Sequence, residues 1–434
     1  MNSPERPAPR DGVARISRNL AARYRVLFEI GRGGMGTIEV ALEMPSERVV
    51  ALKRMHPLAS GSRERRQTEM FLREAHLAAA LVHPNVVHAF AFGESEGELF
   101  LAMEYVEGET LSAIVRAARE RSQGSGFHPA LVASIVADAC EGLHAAHELR
   151  DPQTGALLNV IHRDVSPHNV MVSYEGHVKL LDFGVAKIDS VDPLTRTGEI
   201  KGKTAYMSPE QGMGEPLDRR SDLFSMGAVL YECVTGQRMY GTGTELEVLR
   251  RLALEAPPSL ATAAPAAPPA LTSLHARMVA RDPSARPPTA LAVAEELRAY
   301  VASSGVRVDA AVIAEAMASF FGSEAAERKR LLNEALAQCV PPARVEVLRR
   351  SLAGPTALQG VARGTLQMPV AVRVPGEALP SLPPMGTPLP PRATKRGVIL
   401  SAGVGLLLAA GIVTGTTRAT RPLAAERFPD LPAR

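Results

Sequence analysis

The sequence predicts an α+β chain in which strands come first, helices follow, and one apolar helix stands near the carboxyl end. Three observations carry that prediction. Between Tyr24 and Val106 the apolar residues gather in short extended runs punctuated by glycine, asparagine and proline. From Leu111 onward they recur at helical spacing, over 111–121, 131–149 and 291–302. The third is 397–417, GVILSAGVGLLLAAGIVTGTT, 21 residues without a charge. Such a helix would be roughly 31 Å long, enough for the hydrocarbon core of a bilayer.

Composition narrows the classes. A chain of 434 residues, 46% hydrophobic and 22% charged, can bury one large or two modest cores. Its net charge of +3 is too near neutral to argue for nucleic acid, and the basic residues are scattered, not striped, so that class is set aside. Cys140, Cys233 and Cys339 have no CxxC or Cys/His spacing. That argues against a zinc site or disulfide framework and suits a reducing compartment, with buried small hydrophobes as the plain reading.

Residues 1–23 are rich in Arg, Pro and Ala without an apolar run, which predicts a disordered amino terminus and no signal peptide. Two extended segments follow, joined by Ile30-Gly31-Arg32-Gly33-Gly34-Met35-Gly36-Thr37-Ile38. Alone, a GxGxxG is weak, because a dinucleotide-binding turn looks the same. Here a strand follows instead of a helix, which favours a hairpin whose backbone N–H groups approach phosphate oxygens. The next strand, Val49-Val50-Ala51-Leu52-Lys53, ends on a lysine that is either solvated or aimed at phosphates. Glu74, on the helical stretch 69–81, favours the second by offering a carboxylate to hold that cation. Residues 98–106 read as a strand running into a linker. His144 and His147 are three apart on the helix 131–149, but no third ligand is in sight, so a packing or surface role is expected. The loop 151–155 has no functional reading.

The densest chemistry lies in Val160-Ile161-His162-Arg163-Asp164-Val165-Ser166-Pro167-His168-Asn169, with Leu181-Asp182-Phe183-Gly184 after it. These put a carboxylate, a carboxamide and a second carboxylate on two adjacent turns flanked by strand-like runs, 170–172 and 178–181. A phosphoryl-transfer site holds a base and two Mg²⁺ ligands in this way. With Gly31, Gly33, Gly36, Lys53 and Glu74 in order before them, these residues resemble those of a bacterial eukaryotic-like (Hanks-type) serine/threonine protein kinase. The resemblance runs from about Tyr24 to Ala302.

It implies a bilobal protein kinase fold, with a small β-rich lobe and a large helical lobe, that uses ATP and Mg²⁺ and acts on protein hydroxyls. By resemblance Lys53 and Glu74 form an ion pair, Asp164 is the base, and Asn169 and Asp182 hold the metal. The nucleotide would lie against Ile30, Gly31, Arg32, Gly33, Gly34, Gly36, Ile38 and Ala51. Met103 would sit behind the adenine, with the backbone of Glu104 and Tyr105 or Val106 at its edge. Glu210, closing Ala205-Tyr206-Met207-Ser208-Pro209-Glu210, would pair with Arg286, and Asp222 would cap the catalytic loop.

Two positions depart from the family pattern. Ser166 stands where a lysine is usual, and Lys203 where a threonine is usual. The family would set these side chains next to each other, so a cation and a hydroxyl have traded places, or both changes mark a weak kinase. Arg163 suggests control by a phosphate on the activation segment, with Thr195 and Thr197 the first acceptors and Ser190 and Thr204 behind them.

Beyond the resemblance, 303–353 reads as a helical extension, with amphipathic candidates over 308–321 and 324–338 that would pack on the large lobe or bind a partner. Residues 354–394, rich in Pro, Gly and Leu, read as a linker. The span 397–417 predicts a single transmembrane helix followed by a short tail, 418–434. Lys395-Arg396 and Arg418 flank it almost evenly, so charge barely orients it. ATP use puts the kinase on the cytoplasmic side of the cell (inner) membrane. Gly411 and Gly415 form a GxxxG, a pairing face for a homodimer. Two other readings stand beside the enzyme: a pseudokinase scaffold, disfavoured by intact Lys53, Asp164, Asn169 and Asp182, and a small-molecule kinase, disfavoured by the 206–210 segment.

Overall fold

The structure is a computed structural model. It describes residues 20–352 apart from 34–35, 56–67, 69–70, 73–74, 96–97, 122–126, 152 and 183–202. The chain divides into Met1–Met385 and Gly386–Arg434, and the second unit lies wholly outside the described residues. The predicted span 397–417 and its GxxxG fall there, and the linker 354–394, Gly34, Glu74, Ser190, Thr195 and Thr197 also lie outside the described residues. No helix among the described residues is long and apolar enough to cross a membrane.

Two lobes are present. The small lobe is a five-stranded antiparallel sheet of β1 (Tyr24–Gly33), β2 (Gly36–Glu43), β3 (Arg48–Met55), β4 (Ala89–Ser95) and β5 (Glu98–Glu104), in the order β1-β2-β3-β5-β4. The period of two sorts its residues onto two faces. Ala41, Val50, Leu52, Phe100 and Ala102 bury one face with Tyr24. Val40, Leu42, Val49 and Ala51 bury the other, and helical residues 75–80 cover its far end against Leu99 and Leu101.

Residues 105–107 lead into the large lobe. A small sheet, β6 (Gly108–Thr110), β7 (Val170–Ser173) and β8 (Val178–Leu180), underlies the site. Around it stand α1 (Leu111–Arg121), α2 (Pro129–His147), α3 (Arg220–Thr235) and α4 (Ala290–Ser303), all contributing to one core. Helix α3 is buried on every side, as an element at the centre of a lobe must be. The loop 151–155 has a local explanation after all: Asp151 Oδ1 accepts from the amides of Gln153 (2.9 Å) and Thr154 (2.7 Å), an Asx turn that reverses the chain.

The helical extension departs most from expectation. It comprises α5 (Ala310–Ala337) and α6 (Pro342–Leu352). Helix α5 breaks at Phe321 (φ −131°, ψ 25°), just before Gly322, so the two expected helices are the arms of one kinked element. Helix α6 lies within the expected helical extension but was not singled out as an element, because its apolar stripe is short and set among arginines. Instead of the large lobe alone, the extension packs on both lobes.

Candidate active site

Lys53 reaches the site because β3 alternates. Val49, Ala51 and Lys53 share a face, and Lys53 stands in register between Ile38 of β2 and Leu101 of β5. Its Nζ lies 2.7 Å from Asp182 Oδ2. That ion pair joins the small lobe to the large one. The expected partner Glu74 lies outside the described residues, so the observed pairing is with Asp182.

Around Asp164 the backbone is held by side chains from elsewhere. Arg163 and Asp182 have φ of +62° and +35°, which non-glycine residues adopt at a cost. Asp222, in the first turn of α3, secures the first of these: its carboxylate accepts from the amides of His162 and Arg163, each at 2.8 Å. His147 Nε2 lies 2.8 Å from the same carboxylate. Burial alone would raise the Asp222 carboxyl, but the bond and charge of His147, then His162, hold it below the usual carboxylate value. Gln211 donates to the Arg163 carbonyl at 2.9 Å, so the segment after Tyr206 also braces the loop.

Asn169 ends the single turn Pro167–Asn169, buried, with its Nδ2 donating to Asp164 O (2.7 Å) and Asp164 Oδ2 (3.0 Å). With the amide nitrogen so engaged, the amide oxygen is the atom left to ligate. Asn169 O in turn accepts from the Leu181 amide at 2.9 Å, tying the two loops together. Asn169 and Asp182 thus offer hard oxygens on adjoining loops, the donor type that Mg²⁺ selects. Among the described residues no cluster of three His, Cys, Asp or Glu suggests any other metal site.

On the roof of the site, Gly31 pairs with Ile38 and Gly33 with Gly36. Gly36 stands so close to β3 that a Cβ would lie 2.0 Å from the Arg54 carbonyl oxygen, so no other residue fits without parting the strands. Ile30 and Arg32 are exposed, and the Arg32 guanidinium pairs with Glu29 at 2.7 Å. Met103 stands in register with Ala51 and Ala89, and lines a small cavity with Leu101, Leu180 and Asp182. The Glu104 carboxylate is taken by Lys179 at 2.7 Å. Val106 is half-buried beside it.

Glu210 and Arg286 pair as expected, at 2.6 and 2.9 Å in fork geometry, with Ser221 Oγ donating to Glu210 at 2.6 Å. Ser166 is 1% exposed and its Oγ finds no partner among the described residues. Lys203 opens the turn Lys203–Tyr206, and its side chain lies outside the described residues.

Sequence reasoning gave His147 a packing or surface role and missed its partner, Asp222. His147 lies on the buried face of α2 with Cys140 and Leu143, spacing that marks a core histidine but not its partner.

Comparison with known proteins places this geometry. A family model described as protein kinase domain matches residues 24–297. The tyrosine-protein kinase MasK of Myxococcus xanthus (strain DK1622) is 37% identical over 316 residues, covering 71% of this chain and 48% of MasK. The serine/threonine-protein kinase pkn3 of Myxococcus xanthus is 38% identical over 296 residues, covering 65% of this chain and 51% of pkn3. PrkC of Bacillus subtilis (strain 168), a serine/threonine-protein kinase, is 30% identical over 276 residues, 63% of this chain and 40% of PrkC. The chain therefore spans about half the length of such relatives, or less. Because the matched region begins with β1 and ends within α4, taking in every strand and loop that builds the site, the chain belongs to the protein kinase domain family.

Proposed function

We propose that this chain is an ATP-dependent protein kinase that phosphorylates serine and threonine hydroxyls of proteins, tethered to the inner membrane and facing the cytoplasm. The observation that carries the reading is the meeting of Lys53 and Asp182 across the lobes at 2.7 Å, beside an Asp164 carboxylate already oriented by Asn169. Asp164 is half-buried, so a hydroxyl entering the cleft can reach it. There it accepts or orients the hydroxyl proton, while Asn169 fixes its rotamer. Lys53 supplies positive charge for phosphate oxygens, and Asn169 and Asp182 supply oxygen ligands. Mg²⁺, when bound, neutralises charge that builds up on the phosphates.

Ser166 leaves the loop without the usual cation, and Lys203 is our candidate to supply it. The membrane tether is supported by the uncharged run 397–417. Regulation is assigned to Thr195 or Thr197, through Arg163. The acceptor is read as serine or threonine from the names of pkn3 and PrkC, against that of MasK.

The test is labelled ATP with Mg²⁺ and the full chain, beside Asp164→Asn and Lys203→Ala. Wild type should label itself or a protein substrate, on phosphoserine or phosphothreonine, with sites between 183 and 210. Asp164→Asn should lose at least about a hundredfold in rate, the usual scale of a positioned base. Nucleotide binding without any labelling would hand the chain to the scaffold reading. Phosphotyrosine would move the acceptor class, and a Lys203→Ala rate near wild type would end the exchange.

A further inference from the structure

The chemistry described above does not use residues 310–352, yet they are built into both lobes, and the apolar cluster they join includes Ala51, with Ile38 and Met103 packed against it. Helix α5 starts against the β7–β8 turn, where Gly176 (φ +86°) lets the backbone approach so closely that a Cβ would lie 1.9 Å from the Ala310 carbonyl oxygen. Its first arm joins the large-lobe core through Ile313, Met317 and Phe321. Phe320 packs edge-on to Phe127, under the Arg121 guanidinium, which donates to the Ser319 and Phe320 carbonyls.

Beyond the kink the partners change lobe. Leu332, Leu336, Val340 and Leu348 are buried in one cluster with Val40, Leu42, Val49 and Ala51, on the sheet face that also carries Lys53, and with Tyr105. Three arginines of the extension meet three glutamates. Arg328 pairs with Glu109 of β6 at 3.0 Å, and Arg344 pairs with Glu47 of the β2–β3 turn. Arg349 Nη1 lies 2.6 and 2.7 Å from the two oxygens of Glu107, which is 8% exposed in the segment joining the lobes. One continuous element is thus fastened to the large lobe, the small sheet and the link between them. Any change in the angle between the lobes must shear it.

We propose that residues 310–352 form an intramolecular strap that sets the spacing of the lobes for the nucleotide, with Arg349 as a positioning residue acting through Glu107. The proposal rests on the nucleotide-binding reading above. The strap and the nucleotide favour the same lobe spacing, so each strengthens the other, and loosening the strap weakens nucleotide binding without touching the chemical step.

The experiment uses the full chain with Glu107→Arg, Arg349→Glu and the double swap. Binding of Mg-ADP is measured by calorimetry, and the initial rate at saturating ATP is measured beside it. Each single reversal should weaken Mg-ADP by about fivefold or more, the lower end of usual coupling between sites, and leave the saturated rate within about twofold. The swap should restore most of the affinity, which a merely structural lesion would not do. Thermal melts check folding, and Arg349→Gln is read in place of any reversal that fails to fold. Single variants that bind Mg-ADP like wild type, or a folded swap that recovers nothing, overturn the strap alone. Wild type that binds no Mg-ADP overturns the kinase reading and the strap with it.

Discussion

His162 shows how a residue remote from substrate can determine the site. It is fully buried, and burial holds its imidazole below the ordinary histidine value, with the nearby carboxylates only partly opposing this. The neutral ring then has one donor and one acceptor: Nε2–H donates to Leu181 O at 3.0 Å, and Nδ1 accepts from the Asp164 amide at 3.3 Å. One imidazole braces the base against the loop of Asp182. His275 is a second buried histidine, pushed down to about 4 by burial, beside the Tyr231 ring. In both, the unfolded chain takes up a proton before the folded one does. Their stability contribution is therefore complete above the unfolded value near 6.5, and is lost as pH falls through the folded value. Denaturant unfolding should show stability dropping between about pH 6.5 and 4. For His275→Leu, which keeps the burial and removes the titration, that slope should be shallower by up to about 3 kcal/mol across the range. An unchanged slope would count against this assignment.

At the scale of elements, the long-range ties matter more than the elements themselves. Arg286, between Pro283–Ala285 and α4, reaches back to Glu210 in the short helix Pro209–Met213, and its Nη1 also donates to the Arg220 carbonyl at 3.0 Å. Burial by itself would raise the Glu210 carboxyl; the Arg286 and Ser221 hydrogen bonds bring it below its ordinary value. Arg286→Ala leaves that carboxylate buried without its cation. A loss of roughly 3 to 5 kcal/mol should follow, seen as a lowered melting temperature, because the lost partner costs more than the pair gains. Most of these elements were legible in advance. Helix α1 and the strands β1, β2, β3, β5, β7 and β8 stand within a few residues of expectation, because alternation and helical spacing record which face is buried, whereas β6 forms at Gly108, where a turn was expected. Helix α6 escaped because its apolar stripe is only three residues, Val345, Leu348 and Leu352, and an arginine–glutamate pair that no spacing announces completes its contact.

For the whole molecule, the extension redraws the boundary of the folded unit. A chain cut at Ala302 ends inside α4 and uncovers Leu42 and Val49, which Leu332, Leu336 and Leu348 help to bury. Each such side chain is worth about 1.5 to 3 kcal/mol when buried. A chain ending at Leu352 should melt cooperatively at the full-length temperature, and one ending at Ala302 should melt lower or aggregate. Equal melts would mean that the extension adds nothing to the fold. The sequence by itself determined the order and type of the chemical groups, from Gly31 through Lys53 to Asp182, because each sits in a short backbone pattern that its neighbours specify. Only the tertiary structure decided the partners: Asp182 for Lys53, His147 for Asp222, and Arg349 for Glu107. A charge along a chain has no preferred direction. Which opposite charge it meets is settled by the packing of apolar faces far away in sequence.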